Sequence, residues 1–110
     1  MDALTSLPPR IRRPAVAGYH YPSQAGALVE ALEALLPRHA APMPARAVVV
    51  PHDSFRRSGA VAAAALSRVV IPKRCVVLGP SHTGSWMPWS LMVSGANRTP
   101  LGDVPVDGAL

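Results

Sequence analysis

Thirteen prolines stand in a chain of 110 residues, more than twice the average usage of about 5%. Each removes a backbone donor and fixes φ, so elements must be short and joined by stiff turns. A long-helix bundle or a coiled coil is excluded on that ground. A chain of this size buries roughly 65% of the surface its unfolded form exposes, enough for one modest core and one domain. Hydrophobic residues reach 49% and charged ones 15%, which excludes an ordinary disordered tail. Aromatic residues reach only 5%, so the core must be aliphatic.

Eleven Lys and Arg against six Asp and Glu leave a formal charge of +5. Lys73 is the only lysine. A basic balance draws acidic partners such as nucleic acid or an anionic membrane. The Arg-rich, Lys-poor bias is equally what a GC-rich genome encodes. No cationic run exceeds two residues and stacking aromatics are scarce, which argues against nucleic acid. Cys75 is the only cysteine, so neither an internal disulfide nor an all-cysteine zinc site is available. No apolar run approaches the roughly 20 residues of a membrane span. Arg10, Arg12 and Arg13 lead into no apolar stretch of the kind a secretory signal requires. The cytoplasm is the expected compartment.

Residues 1–13 lack periodicity and read as an irregular arm. Arg13 to Pro22 reads as an extended segment closed by proline. Leu28, Leu32, Leu35 and Leu36 form an apolar stripe that predicts an amphipathic helix over 23–36, stopped by Pro37. Ala45 to Val50 is a continuous β-branched run, as in parallel strands covered on both faces. Ser58 to Val69 predicts a helix with a small-residue face. Cys75 to Leu78 reads as a second buried strand. Together these make a βαβ unit with a right-handed crossover. Ser90 to Val93 suggests a third strand, and Thr99 to Asp103 a turn.

Each predicted buried strand runs into a turn that presents a histidine, His52 after Pro51 and His82 after Gly79-Pro80-Ser81. Two parallel strands would put both turns at the carboxyl edge of the sheet, where ligands bind in open α/β folds. Adjacent strands lie about 4.8 Å apart, so both imidazoles could converge on one ion of iron, zinc, copper or nickel. A loop histidine taken singly is most simply structural; the matched pair opens the metal-site alternative. His20 and His39 read as structural or solvent-facing. Asp53 is a ligand or a partner of the adjacent histidine. Cys75 reads as a small core residue. Arg56 and Arg57 belong to a solvated loop or bind an anion. Trp86 and Trp89 wall a pocket or pack in a core.

Arg13-Pro14-Ala15-Val16-Ala17-Gly18-Tyr19-His20-Tyr21-Pro22 resembles the opening signature of the Memo family, which includes the B component of the AmmeMemoRadiSam system. Ala45 to His52, Ser58-Gly59 with its Ala-rich continuation, Leu78 to His82, and Thr99 to Asp103 fit that family in order. The resemblance covers nearly the whole chain from Arg13. It implies an α/β fold related to class III extradiol dioxygenases with a metal pocket at the sheet edge, His52 and His82 being metal ligands and iron the implied metal. It also implies AMMECR-like and radical SAM components as partners. The family's other pocket residues lie in a second half that has no counterpart here. The chain is therefore expected to be the N-terminal, βαβ-containing portion of that fold, with a partial α/β domain over 14–110 and an incomplete sheet, truncated on its C-terminal side. Where the family has His-Ala-Gly-Tyr, this chain has His52-Asp53-Ser54-Phe55. The small residues and the tyrosine hydroxyl do not carry over.

Three function classes follow. An iron oxygenase needs two histidines and a carboxylate, and Asp53, Asp103 and Asp107 are the nearby carboxylates on offer. A metal- or partner-binding protein needs the pocket without turnover. An Arg-based nucleic-acid binder would use Arg10, Arg12, Arg13, Arg56 and Arg57 on phosphates, with steep salt dependence. Beside them stands a truncated, non-functional product. The unfinished sheet predicts exposed apolar surface, and hence aggregation, a homo-oligomer, or a chain that supplies the missing half.

Overall fold

The computed structural model describes residues 10–84 and 88–109. The chain divides into two compact units, one formed by Ala15–Lys73 and the other by the described residues through Pro14 and from Arg74. Together they contain two α-helices and a three-stranded open sheet, a small α/β architecture.

The Ala15–Lys73 unit is helical. Helix α1 spans Ala25–Leu35. Its leucine stripe faces inward: Leu28 is buried, and Leu32 and Leu35 are half-buried, while Val29 and Leu36 are exposed. Leu36 turns to an extended conformation with ψ 131° because Pro37 disfavours the helical region for the residue before it. A π-helical turn over Phe55–Gly59 leads directly into helix α2, Ala60–Leu66. The buried Ser58 hydroxyl donates to the Asp53 carbonyl at 3.1 Å, so it enters the interior satisfied. Gly59 lies where Leu35 of α1 approaches: a Cβ there would sit 2.9 Å from Leu35 Cδ1. Leu28 and Ala63 are the buried apolar side chains among the described residues, which makes this a thin core.

Two backbone ties close the unit. Met43 N–H donates to Arg68 O at 2.9 Å and Val70 N–H to Met43 O at 3.0 Å, holding the Pro-rich linker against the end of α2. Phe55 N–H donates to His20 O at 2.8 Å. The segment around His20, expected to be extended, is instead a tight turn. Gly18 adopts φ +87° and its N–H reaches Tyr21 O at 2.7 Å, while the Tyr19 and His20 amides donate to Val16 O. Glycine makes that positive φ accessible.

The second unit holds a mixed sheet of order β1-β2-β3. Strand β1 is Ile11–Arg12, β2 is Ala96–Thr99 and β3 is Gly102–Pro105. Ile11 pairs with Ala96 in parallel, and Arg98 faces Asp103 in the antiparallel hairpin. The expected turn is present: Thr99 Oγ1 accepts from Leu101 N–H at 3.1 Å and donates to Gly102 O at 2.9 Å. The two strand residues Ile11 and Arg12 lie in the stretch read as an irregular arm, of which residues 1–9 fall outside the described residues.

Three predicted strands are not formed. Residues 45–50, 75–78 and 90–93 are irregular, so the βαβ unit and its parallel pair are absent and the sheet is built from other segments. The reason is that a strand exists only through its partners. Runs apolar on both alternating faces need a ladder on each side and cover above and below. Among the described residues these runs have neither: Val49 is 93% exposed, Val77 87% and Leu78 84%. Cys75 is correspondingly exposed rather than a core residue.

Candidate metal site

His52 sits in the helical unit, in the loop between the Val48–Val50 run and the π-helical turn, and its residue surface is exposed. The loop is shaped by its neighbours. Asp53 Oδ1 accepts the Ser54 N–H at 2.6 Å, and Asp53 Oδ2 lies 3.6 Å from the Arg57 guanidinium one helical turn on. The Ser54 amide, above all, holds the Asp53 carboxyl below the usual carboxylate range; the charges of Arg57 and His20 act in the same direction, and partial desolvation opposes them. Asp53 is therefore ionised at neutral pH and occupied in fixing the loop. The structure also brings His20 to this loop. The Phe55–His20 backbone bond and the Tyr21–Phe55 ring pair, 5.7 Å between centroids, join the two segments. The sequence suggests a structural or solvent-facing His20; here its carbonyl accepts the Phe55 amide. Its electrostatic effect on Asp53 depends on a turn only tertiary structure reveals.

His82 belongs to the other unit, in an exposed irregular segment after Val76–Leu78. The carboxylates offered there as further ligands are engaged. Asp103 accepts a two-pronged contact from Arg98, Nε to Oδ1 at 2.8 Å and Nη2 to Oδ2 at 2.9 Å, which holds its pKa down. Asp107 pairs with Arg74 and accepts the Ala109 N–H at 3.0 Å. Each of the three candidate carboxylates thus faces an arginine, a pattern unseen in the sequence because two of the three pairs depend on chain reversal. Among the described residues no group of three or more His, Cys, Asp or Glu is gathered to hold a metal ion.

The remaining candidates sort quickly. Trp86 lies outside the described residues; Trp89 is largely exposed. A cavity of about 390 Å³ lined by Pro37, His39, Met43, Ala64 and Arg68 includes neither His52 nor His82. Of the arginines proposed for phosphate contact, Arg57 is paired with Asp53. No helix among the described residues is long and apolar enough to cross a membrane.

Comparison with known proteins adds the family. Residues 12–110 match the family described as Memo-like protein. The chain is 39% identical to a MEMO1 family protein of Pyrobaculum arsenaticum, over 92% of this chain and 40% of the relative. It is 38% identical to one from Aquifex aeolicus, over 92% of this chain and 38% of the relative. A third, from Methanothermobacter thermautotrophicus, is 39% identical over 91% of this chain and 40% of the relative. The chain thus spans about two-fifths of the length of these relatives. No solved structure matches it.

Proposed function

The chain belongs to the Memo family, and from that premise we propose that it is a metal-binding protein of the AmmeMemoRadiSam B type, with His52 and His82 as imidazole metal ligands and iron first among the candidate metals. The observation that carries the reading is the repeated pattern within the family-matched region: a β-branched run, a proline-containing turn, then an exposed histidine, twice. Kinship to the class III extradiol dioxygenase fold, a cytoplasmic setting, and AMMECR-like and radical SAM partners belong to the same proposal, supported by that resemblance.

The donor set sets the limit. Neutral imidazole suits iron, zinc, copper and nickel, so two histidines fit a half-site. The oxygenase arrangement needs a carboxylate as well, and Asp53, Asp103 and Asp107 are engaged by arginines. Iron held by a complete set would supply open coordination positions for substrate; this chain's own contribution to such a set would be the two histidines. The reading favoured over catalysis is therefore metal binding without turnover by this chain alone.

With two protein ligands, binding should be weak. Calorimetric titration with ferrous iron and zinc at neutral pH is the test. His52→Ala and His82→Ala should each abolish the signal, and His39→Ala should leave it intact. Unchanged binding in both of the first two variants overturns the assignment.

A further inference from the structure

The cavity of about 390 Å³ in the helical unit is a space that the metal reading leaves unused. It lies where helix α2 ends and the proline-rich linker runs past it. The linker is held there through Met43, whose N–H donates to Arg68 O and whose carbonyl accepts from Val70 N–H. Pro37, Pro42 and Pro44 fix φ along it, so the walls are set before any ligand arrives. Pro37, Met43 and Ala64 give the cavity apolar lining, and His39 and Arg68 bring two basic side chains. Among the described residues no carboxylate lines it. Its volume falls at the lower end of the range for small-molecule sites, about 300–1,000 Å³.

Arg68 is not spent on capping. A cation near a helix C-terminus ordinarily bonds the last carbonyls. Here the last four carbonyls of α2 are already taken: Ser67 N–H donates to Ala63 O at 3.0 Å, Ser67 Oγ to Ala64 O at 3.1 Å, Arg68 N–H to Ala65 O at 3.2 Å and Val69 N–H to Leu66 O at 3.3 Å. Among the described residues the Arg68 guanidinium makes no ion pair, whereas Arg57, Arg74 and Arg98 each meet an aspartate. We propose that the cavity binds a small organic monocarboxylate, with its apolar body against Pro37, Met43 and Ala64, its carboxylate on Arg68, and His39 as a second donor. A planar guanidinium matches the two oxygens of one carboxylate with two parallel N–H bonds. Imidazole keeps an N–H donor in either protonation state. A phosphate fits less well, because the helix end here is a C-terminal one. Its field opposes a dianion twice as strongly as a single charge, and it offers no cradle of amides. Neither His52 nor His82 lines the cavity, so the site stands or falls apart from the metal.

The test is a titration of the full chain with benzoate at neutral pH, followed by amide NMR. The dissociation constant should be on the order of 1 mM, as suits a small ligand in an open cavity, with shifts centred on Ala40, Ala41, Met43 and Ala64. Benzamide, of the same shape without the charge, should bind at least about 10-fold more weakly, and so should inorganic phosphate. Arg68→Gln should weaken benzoate by about 10-fold or more while leaving the helical circular dichroism unchanged, since the residue is exposed. Arg12→Gln, in the other unit, should change nothing. Equal binding of benzoate and benzamide, full affinity in Arg68→Gln, or shifts centred away from residues 37–43 and 64–68 overturns the site. Phosphate binding more tightly than benzoate overturns the ligand class.

Discussion

Gly95 is the position where one added methyl group should do most damage to the sheet. Its φ is +98°, and a Cβ built there would lie 2.0 Å from the Arg10 carbonyl oxygen and 2.9 Å from the carbonyl carbon. The obstacle is backbone, so no side chain can swing aside. That same oxygen accepts the Ala96 N–H at 2.9 Å, the bond that ties β1 to β2. Gly95→Ala therefore meets two costs. Placing a non-glycine residue in the left-handed region costs about 1–2 kcal/mol, and losing the hydrogen bond costs about 0.5–1.5 kcal/mol. Together they reach about 2–3 kcal/mol. Strand β1 has only two residues, so the least costly relief is its detachment while the β2–β3 hairpin persists. Amide exchange followed by NMR reads this directly. The Ala96 amide should lose protection by up to about 100-fold, whereas the turn amide of Leu101 should be unaffected. An Ala96 amide as protected in the variant as in the parent would refute the reasoning.

Other substitutions separate local from packing effects. Gly26 lies inside α1, and a Cβ placed on it would meet nothing within 4 Å, so Gly26→Ala should stabilise the helix by about 0.5–1 kcal/mol, read as a raised urea midpoint. Leu28→Ala should cost about 2–3 kcal/mol, the low end for core leucines because so little surrounds it, against a few tenths for the exposed Val29→Ala; equal effects in the same denaturation assay would contradict the inward stripe. Arg98 holds the Asp103 pKa below its usual value, so the ionised carboxylate favours the folded hairpin. That contribution is present above the unfolded pKa of about 3.9 and is lost as pH falls through the lowered folded value. Carboxyl NMR should find the Asp103 midpoint below that of an unfolded peptide, and Arg98→Gln should raise it; a midpoint that does not move would sink the pairing.

Legibility along the chain followed the range of the interactions concerned. Helix α1 could be read because its leucines recur every third or fourth residue and Pro37 must end it. The Thr99–Gly102 turn could be read because its proline and glycine act on their own backbone. The histidines could be singled out because each follows a recognisable run. The state of the candidate carboxylates could not be read from the sequence. Whether Asp103 and Asp107 are available depends on which arginine the folded chain brings to them, across a hairpin for Arg98 and across 33 positions for Arg74.

Composition and order by themselves determined the short elements, the aliphatic core, the two helices, the hairpin turn and the family signature. Tertiary structure alone decided which segments became strands. The β-branched runs at 48–50 and 76–78 have the stronger strand character, yet the sheet formed from Ile11–Arg12, Ala96–Thr99 and Gly102–Pro105. Helix hydrogen bonds close within four residues and can be judged from local pattern. Strand hydrogen bonds close onto whatever chain lies alongside, so a run of valines is a strand only when a partner is there to meet it.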